Sequence, residues 1–183
     1  MIDILNSQEL LSLRATSDEL YRVVRNSDRR RFQVKQESEV SMIRAVQGHS
    51  MSFVEASRIM ERIGVDGNPA PVRCVHGTSA ENMESILARG LIAGGLRSRR
   101  NQIHLFPCEE QTGRHPRLRH RYQIAVHVEV RRAAEDGVVF YRSANDLILT
   151  SGVYGMLDAR YIVAIQRLRD DRWLFEKDQA RAT

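Results

Sequence analysis

Apolar residues recur along this chain in two rhythms, one helical and one alternating. Ser7 stands where a cap is needed for a short helix over residues 8–12. Thr16 and Glu19 have the spacing of a capping box, and Leu20, Val23 and Val24 supply an apolar face to the helix that follows. Asn26-Ser27-Asp28 ends that helix. Phe32-Gln33-Val34 and residues 40–45 then alternate like two strands around a polar turn. Helix, helix, strand, turn, strand is the layout of a winged-helix module. Residues 51–63 fit a helix or an irregular connection.

Glycine and proline crowd into GVDGNPAP at 64–71, which predicts a boundary between a lobe over 1–63 and a second over 72–183. In the second lobe a strand is expected over 72–75. A helix over 80–89, closed by Gly90, follows it. A basic loop at 97–101 leads into a short strand at 103–106, then helix and loop over 108–119. Further strands are expected at 123–130, 138–141, 147–150 and 161–168. The polar tail after Trp173 is expected to fray. Short strands with one or two helices make this half, and the whole chain, α+β.

Charge sharpens the picture. All but two of the 28 basic residues are arginine, Lys35 and Lys177 being the exceptions, and the formal net charge is +5. A guanidinium presents paired donors that match phosphate oxygens, so the composition favours a phosphate-bearing partner such as RNA. A general preference for arginine over lysine explains many surface positions equally well, so individual arginines need a positional argument. Cys74 and Cys108 form no CxxC pair and no His/Cys cluster, so neither a zinc site nor a disulfide framework is expected. No run approaches the ~18 apolar residues that cross a bilayer. The start has no signal-peptide pattern, and a cytoplasmic protein is expected.

Five segments could carry chemistry. Arg44-Ala45-Val46-Gln47-Gly48-His49-Ser50 puts a glycine among three hydrogen-bonding side chains after a strand. Such a turn can hold phosphate or sugar hydroxyls, or be an ordinary polar hairpin. His76-Gly77-Thr78 lies between a strand and a helix, where a histidine can bond a ribose hydroxyl and a glycine admits a flat ring, or where a histidine is simply structural. Arg97–Asn101 followed by Gln102, Ile103 and His104 is a solvated charge run or an anion clamp. Arg29 and Arg31 fall at alternate positions before Phe32 and should share a face. Phe140-Tyr141 has core spacing, and Ser143 with Asn145 reads as a turn before a strand.

Singly these are weak; their order is specific. An arginine before Phe32, then IRAxQGHS at 43–50, HGT at 76–78, an arginine ahead of His104-Leu105, and FYxSxN at 140–145 with Leu149-Thr150 resembles the RNA 2′-phosphotransferases of the Tpt1/KptA type. The resemblance spans roughly residues 16–165. It implies a winged-helix lobe facing the RNA phosphate and a lobe with the fold of NAD-dependent ADP-ribosyltransferases. It also implies removal of the splice-junction 2′-phosphate of tRNA by a cytoplasmic enzyme, a monomer, with NAD as co-substrate and no metal. Arg31 and Arg100 match two of the family's four catalytic residues, and two guanidinium forks suit a dianionic phosphate. His76, Gly77, Thr78, His104, Asn145 and Leu147 match the nucleotide cleft. Arg44, Gln47, Gly48, His49 and Ser50 match the side facing the RNA phosphate.

The implied reaction has two steps. The RNA 2′-phosphate first attacks the anomeric carbon of the NAD⁺ ribose, releasing nicotinamide. The neighbouring ribose hydroxyl then attacks phosphorus, giving RNA with a 2′-hydroxyl and ADP-ribose 1″,2″-cyclic phosphate. The chain departs from the pattern in two places. The family's Leu-Arg-His motif, which holds its other two catalytic residues, has no match here, because Leu13-Arg14 is followed by Ala15. The lobe is therefore expected to lack the family's first helix. The family's HVHLS also reads Gln102-Ile103-His104-Leu105-Phe106. Two alternatives follow: an ADP-ribosyltransferase that caps phosphorylated nucleic-acid ends, or a catalytically degenerate RNA-binding protein.

Overall fold

The computed structural model describes residues 2–27, 30–38, 40–46, 55–64, 68–94, 101–108, 118 and 121–177. Of the expected site residues, Gln47, Gly48, His49, Ser50 and Arg100 lie outside these, as does most of 108–119. Contacts divide the chain into two compact units, Met1–His49 and Ser50–Thr183.

The first unit runs α1 (Ile2–Leu5), α2 (Gln8–Ser12), α3 (Ser17–Arg25), β1 (Phe32–Glu37) and β2 (Val40–Ala45). Both expected caps form. The Ser7 side chain accepts from the Leu10 amide. Thr16 Oγ1 accepts from the Glu19 amide, while Glu19 Oε2 accepts from the Thr16 amide at 2.9 Å. Those hydrogen bonds from Thr16 hold the Glu19 carboxyl below its ordinary range. The inward stripe of α3 is Leu20, Tyr21 and Val24, all half-buried. Val23, expected on that face, is exposed, because its position on the helical turn falls outside the stripe these three define. The Tyr21 hydroxyl donates to Ser41 Oγ at 2.7 Å, which donates onward to Gln36 Oε1, tying α3 to the hairpin. β1 and β2 pair antiparallel from Phe32↔Ala45 to Glu37↔Val40.

The second unit contains α4 (Ala56–Ile59), β3 (Glu61–Ile63), β4 (Arg73–Thr78), α5 (Met83–Arg89) and β5 (Leu91–Ile92). It continues with β6 (Ile103–Pro107), β7 (Ile124–Glu129), α6 (Val130–Glu135), β8 (Phe140–Arg142) and β9 (Ile148–Thr150). β10 (Met156–Leu157), β11 (Ile162–Arg167) and β12 (Trp173–Glu176) complete it. Eight strands form one antiparallel sheet in the order β12-β11-β7-β4-β6-β9-β8-β3, so the molecule is mixed α and β around a large antiparallel sheet. Leu105, Ile124, Val126, Val128, Phe140, Ile148 and Ile165 fill its core with essentially no exposure.

Three expectations change. The strand expected over 123–130 stops at Glu129, and Val130, Ala133 and Ala134 begin a buried helical turn. Its apolar spacing is helical, but six residues are too few for the period to stand out in sequence. The tail after Trp173 does not fray at once: Trp173–Glu176 pairs with β11 as an edge strand. Glu61–Ile63, grouped with the first lobe in sequence, pairs with Phe140–Arg142 in the large sheet.

Candidate active site

The centre of the sheet contains a seam. β4 pairs with β6 only through Cys74↔Pro107 and Val75↔Phe106. The other half of β6 pairs with β9, through Ile103↔Thr150, His104↔Leu149 and Leu105↔Ile148. β6 therefore changes partner midway, and β4 parts from it just at His76. The half-buried His76 ring takes up the freed backbone group: Nδ1 lies 2.9 Å from the His104 carbonyl oxygen. A carbonyl only accepts, so Nδ1 carries the hydrogen. Burial pushes the imidazole below its usual pKa, against the upward pull of that hydrogen bond. The ring is then neutral at pH 7 and Nε2 holds a lone pair. Among the described residues nothing donates to it. A fixed acceptor at the mouth of a seam is what a sugar hydroxyl requires.

Gly77 is constrained by its neighbour. A Cβ there would stand 2.3 Å from Tyr122 Cδ2 and 2.8 Å from Leu118 Cδ2. The close approach expected of this glycine is thus taken, on that face, by the protein's own Tyr122 ring. That ring meets Phe106 edge-on at 6.4 Å between centroids, and Arg121 lies 5.6 Å over it. Thr78 is also occupied: its Oγ1 accepts from Asn82 Nδ2 at 3.0 Å, and its carbonyl accepts from the Gln123 amide. Gln123 Oε1 in turn accepts from the Ala80 amide at 2.8 Å, capping the turn that leads into α5. Asn82, Tyr122 and Gln123 went unpredicted. Only the glycine signalled that a bulky group presses on β4, and it could not say which.

Asn145 and Leu147 belong to the tight turn between β8 and β9. Ser143, buried and absent from the expected site, organises that turn. Its hydroxyl donates to Asn145 Oδ1 at 2.7 Å and accepts from the Leu147 amide at 3.1 Å. Because Ile148 lies opposite Leu105, the turn sits at the Pro107 end of β6, while Thr78 lies toward the Ile103 end. The fold therefore brings His76, Gly77, Thr78 and His104 together on adjacent strands. It sets Asn145 and Leu147 beside the same seam but at its far end.

Arg31 and Arg44 belong to the hairpin of the first unit, and both are exposed. The Arg44 fork grips the Gln33 amide oxygen directly across the ladder, at 3.2 Å from Nε and 2.8 Å from Nη2. The Arg31 carbonyl accepts from the Val46 amide, extending the ladder by one residue. Arg30 has φ +43, so the extended alternation expected to align Arg29 with Arg31 is interrupted between them. Arg29 itself lies outside the described residues. Among the described residues, no group of three or more His, Cys, Asp and Glu side chains could hold a metal, and no helix is long and apolar enough to cross a membrane.

Comparison with known proteins places the sequence in a family. A protein of Schizosaccharomyces pombe is 34% identical over 148 residues, covering 80% of this chain and 38% of that protein. The tRNA 2′-phosphotransferase 1 of Danio rerio is 33% identical over 156 residues, covering 83% of this chain and 67% of that one. Its Homo sapiens counterpart of the same name is 34% identical over 162 residues, covering 86% and 61%. The chain thus spans between about two fifths and two thirds of these relatives' lengths. The sequence model of one family matches residues 1–152, and on that match the chain belongs to the RNA 2′-phosphotransferase, Tpt1/KptA family.

Proposed function

We propose that this chain removes a 2′-phosphate from RNA, tRNA being the natural class, by transferring it to NAD⁺. In this reading the first unit is a winged-helix lobe for the RNA phosphate. The sheet of the second is an ADP-ribosyltransferase-like lobe for NAD. Family membership supports the activity, and one observation carries the site: neutral His76, pinned by the His104 carbonyl, carries on Nε2 a lone pair to which nothing among the described residues donates.

NAD⁺ supplies an anomeric carbon already bonded to a good leaving group. His76 Nε2 accepts from a hydroxyl of that ribose and fixes the sugar's orientation. Such placement matters more than a strong base, because an oxocarbenium-like transition state needs alignment above all. A phosphate oxygen then bonds to the anomeric carbon as nicotinamide departs with the C–N electron pair. Arg31 and Arg100 match two catalytic arginines of the family, and a guanidinium fork suits a dianionic phosphate. In the second step the adjacent ribose hydroxyl gives its proton to water and bonds phosphorus, and the RNA 2′-oxygen leaves with the P–O electron pair and takes up a proton to become a hydroxyl.

Incubation with a 2′-phosphorylated oligonucleotide, with and without NAD⁺, tests this. Phosphate loss and nicotinamide release are expected in equal amounts, and His76→Ala should slow both about 100-fold without unfolding the chain. Phosphate loss that ignores NAD⁺, or a wild-type rate for His76→Ala, refutes the reading.

A further inference from the structure

The segment between β9 and β10 holds a feature that folding does not explain. Val153 and Met156 exchange both backbone hydrogen bonds, closing a two-residue hairpin turn with Tyr154 at φ +50 and Gly155 at φ +83. Positive φ at both turn positions marks a type I′ turn, whose first position favours Asn, Asp or Gly. A tyrosine there is strained by its Cβ. It is also fully exposed, at 104%, so burial returns nothing for that strain. An aromatic residue kept at such a cost at a rigid tip points to a ligand.

Behind the tip lies a cavity of about 480 Å³, within the range of small-molecule sites. One wall is apolar and half open: Ile92, Val153 and Met156. The other is a hydrogen-bonded cluster. The Tyr161 hydroxyl donates to Asp136 Oδ2 at 2.8 Å, Arg160 donates to that hydroxyl, and Asp158 Oδ1 accepts from the Arg160 amide. Asp136 Oδ1 and Asp158 Oδ2 take no hydrogen bond from the described residues. Two carboxylates against one guanidinium repel a phosphate but accept well from N–H groups. Stacking surface beside carboxylate acceptors suits a nucleobase bearing an exocyclic amine. The hairpin also leaves the sheet at the Ile103 end of β6, the end toward which Gly77 and Thr78 lie.

We infer that Tyr154 and the Asp136–Asp158 cavity form a subsite for an RNA base flanking the reacting nucleotide. Tyr154 stacks on the base, and the carboxylates select adenine, cytosine or guanine, which carry an exocyclic amine, over uracil, which has none. The inference rests on the proposed activity for its substrate class.

Direct titration of the full chain with short labelled RNAs of adenosine only or uridine only tests the subsite without needing turnover. Tyr154→Ala should weaken both about tenfold. Asp158→Asn, which keeps the oxygen that caps the Arg160 amide, should remove the preference for adenosine and leave uridine binding unchanged. In turnover, Tyr154→Ala should raise KM for RNA and leave kcat and the KM for NAD⁺ alone. Unchanged RNA affinity in Tyr154→Ala overturns the subsite. So does a rise confined to the KM for NAD⁺, which would give the cavity to the cofactor's adenine. A wild-type chain that binds RNA through Tyr154 yet never consumes NAD⁺ would sink the proposed activity and leave the subsite standing.

Discussion

The two units hold their shape by different means. In Met1–His49 none of the capped helices buries a residue completely, and order comes from short-range polar contacts: the Ser7 and Thr16 caps, the Tyr21–Ser41–Gln36 relay, and the Arg44–Gln33 pair across the hairpin. In Ser50–Thr183 eight strands bury one large apolar cluster and a smaller one around Val75, Leu118, Ala125 and Leu168, and polar contacts serve mainly to shape their edges. Local hydrogen bonds contribute about 1 kcal/mol each, whereas a fully buried aromatic contributes several times that.

The contrast is easiest to break in the core. Phe140 has no exposure, and Phe140→Ala should cost about 3–5 kcal/mol. Hydrogen exchange should show the loss across β4, β6–β9 and β11. Equal loss of protection in α3 would mean that the units share one core, and the contrast would fail.

A second test uses acid. His127 is buried against Trp173, 5.1 Å between ring centroids, and among the described residues its Nε2 has no hydrogen-bond partner. Burial, helped by the nearby charge of Arg73, pushes its pKa down from 6.5 to about 4. Between those values the unfolded chain binds a proton that the folded chain refuses. Stability is therefore complete above about pH 6.5 and falls as pH drops toward 4, by about 3 kcal/mol from this one group. Denaturant titrations across that range should show the slope, and His127→Leu should flatten part of it. Parallel slopes in the two proteins would remove His127 from the account.

The smallest effect lies in the first unit. Thr16→Ala should cost about 1 kcal/mol by freeing the Glu19 amide. Amides of Ser17–Arg25 should exchange faster while those of the large sheet stay as they were. An equal loss in both units would show that the cap supports more than its own helix.

Sequence disclosed local features well and distant ones poorly. The Thr16–Glu19 box and the hairpin of β1 and β2 are set by neighbours within a few residues, whereas the His76 segment, expected between strand and helix, forms the last three residues of β4 through its pairing with β7. The rest depends on pairings that residue order does not encode. Tyr122 lies on Gly77 because β7 brings chain from 45 positions away alongside β4. Asn145 and Leu147 were grouped with His76 by motif, but strand register sets them at the other end of β6. α6 was hidden because a six-residue helix directly after a strand leaves little period to read.

The seam at His76 has a consequence for how this site can vary. An opening made by loops closes or widens whenever loops lengthen. Here the opening is written into the ladder itself: β6 changes partner, and an imidazole occupies the carbonyl where the next rung would form. Insertions in the loops around the sheet can change what borders the opening without zipping the gap shut. Replacing the histidine with an aliphatic residue would instead free the His104 carbonyl to seek β4 again, so the side chain proposed to meet the ribose is also the wedge that keeps the sheet apart.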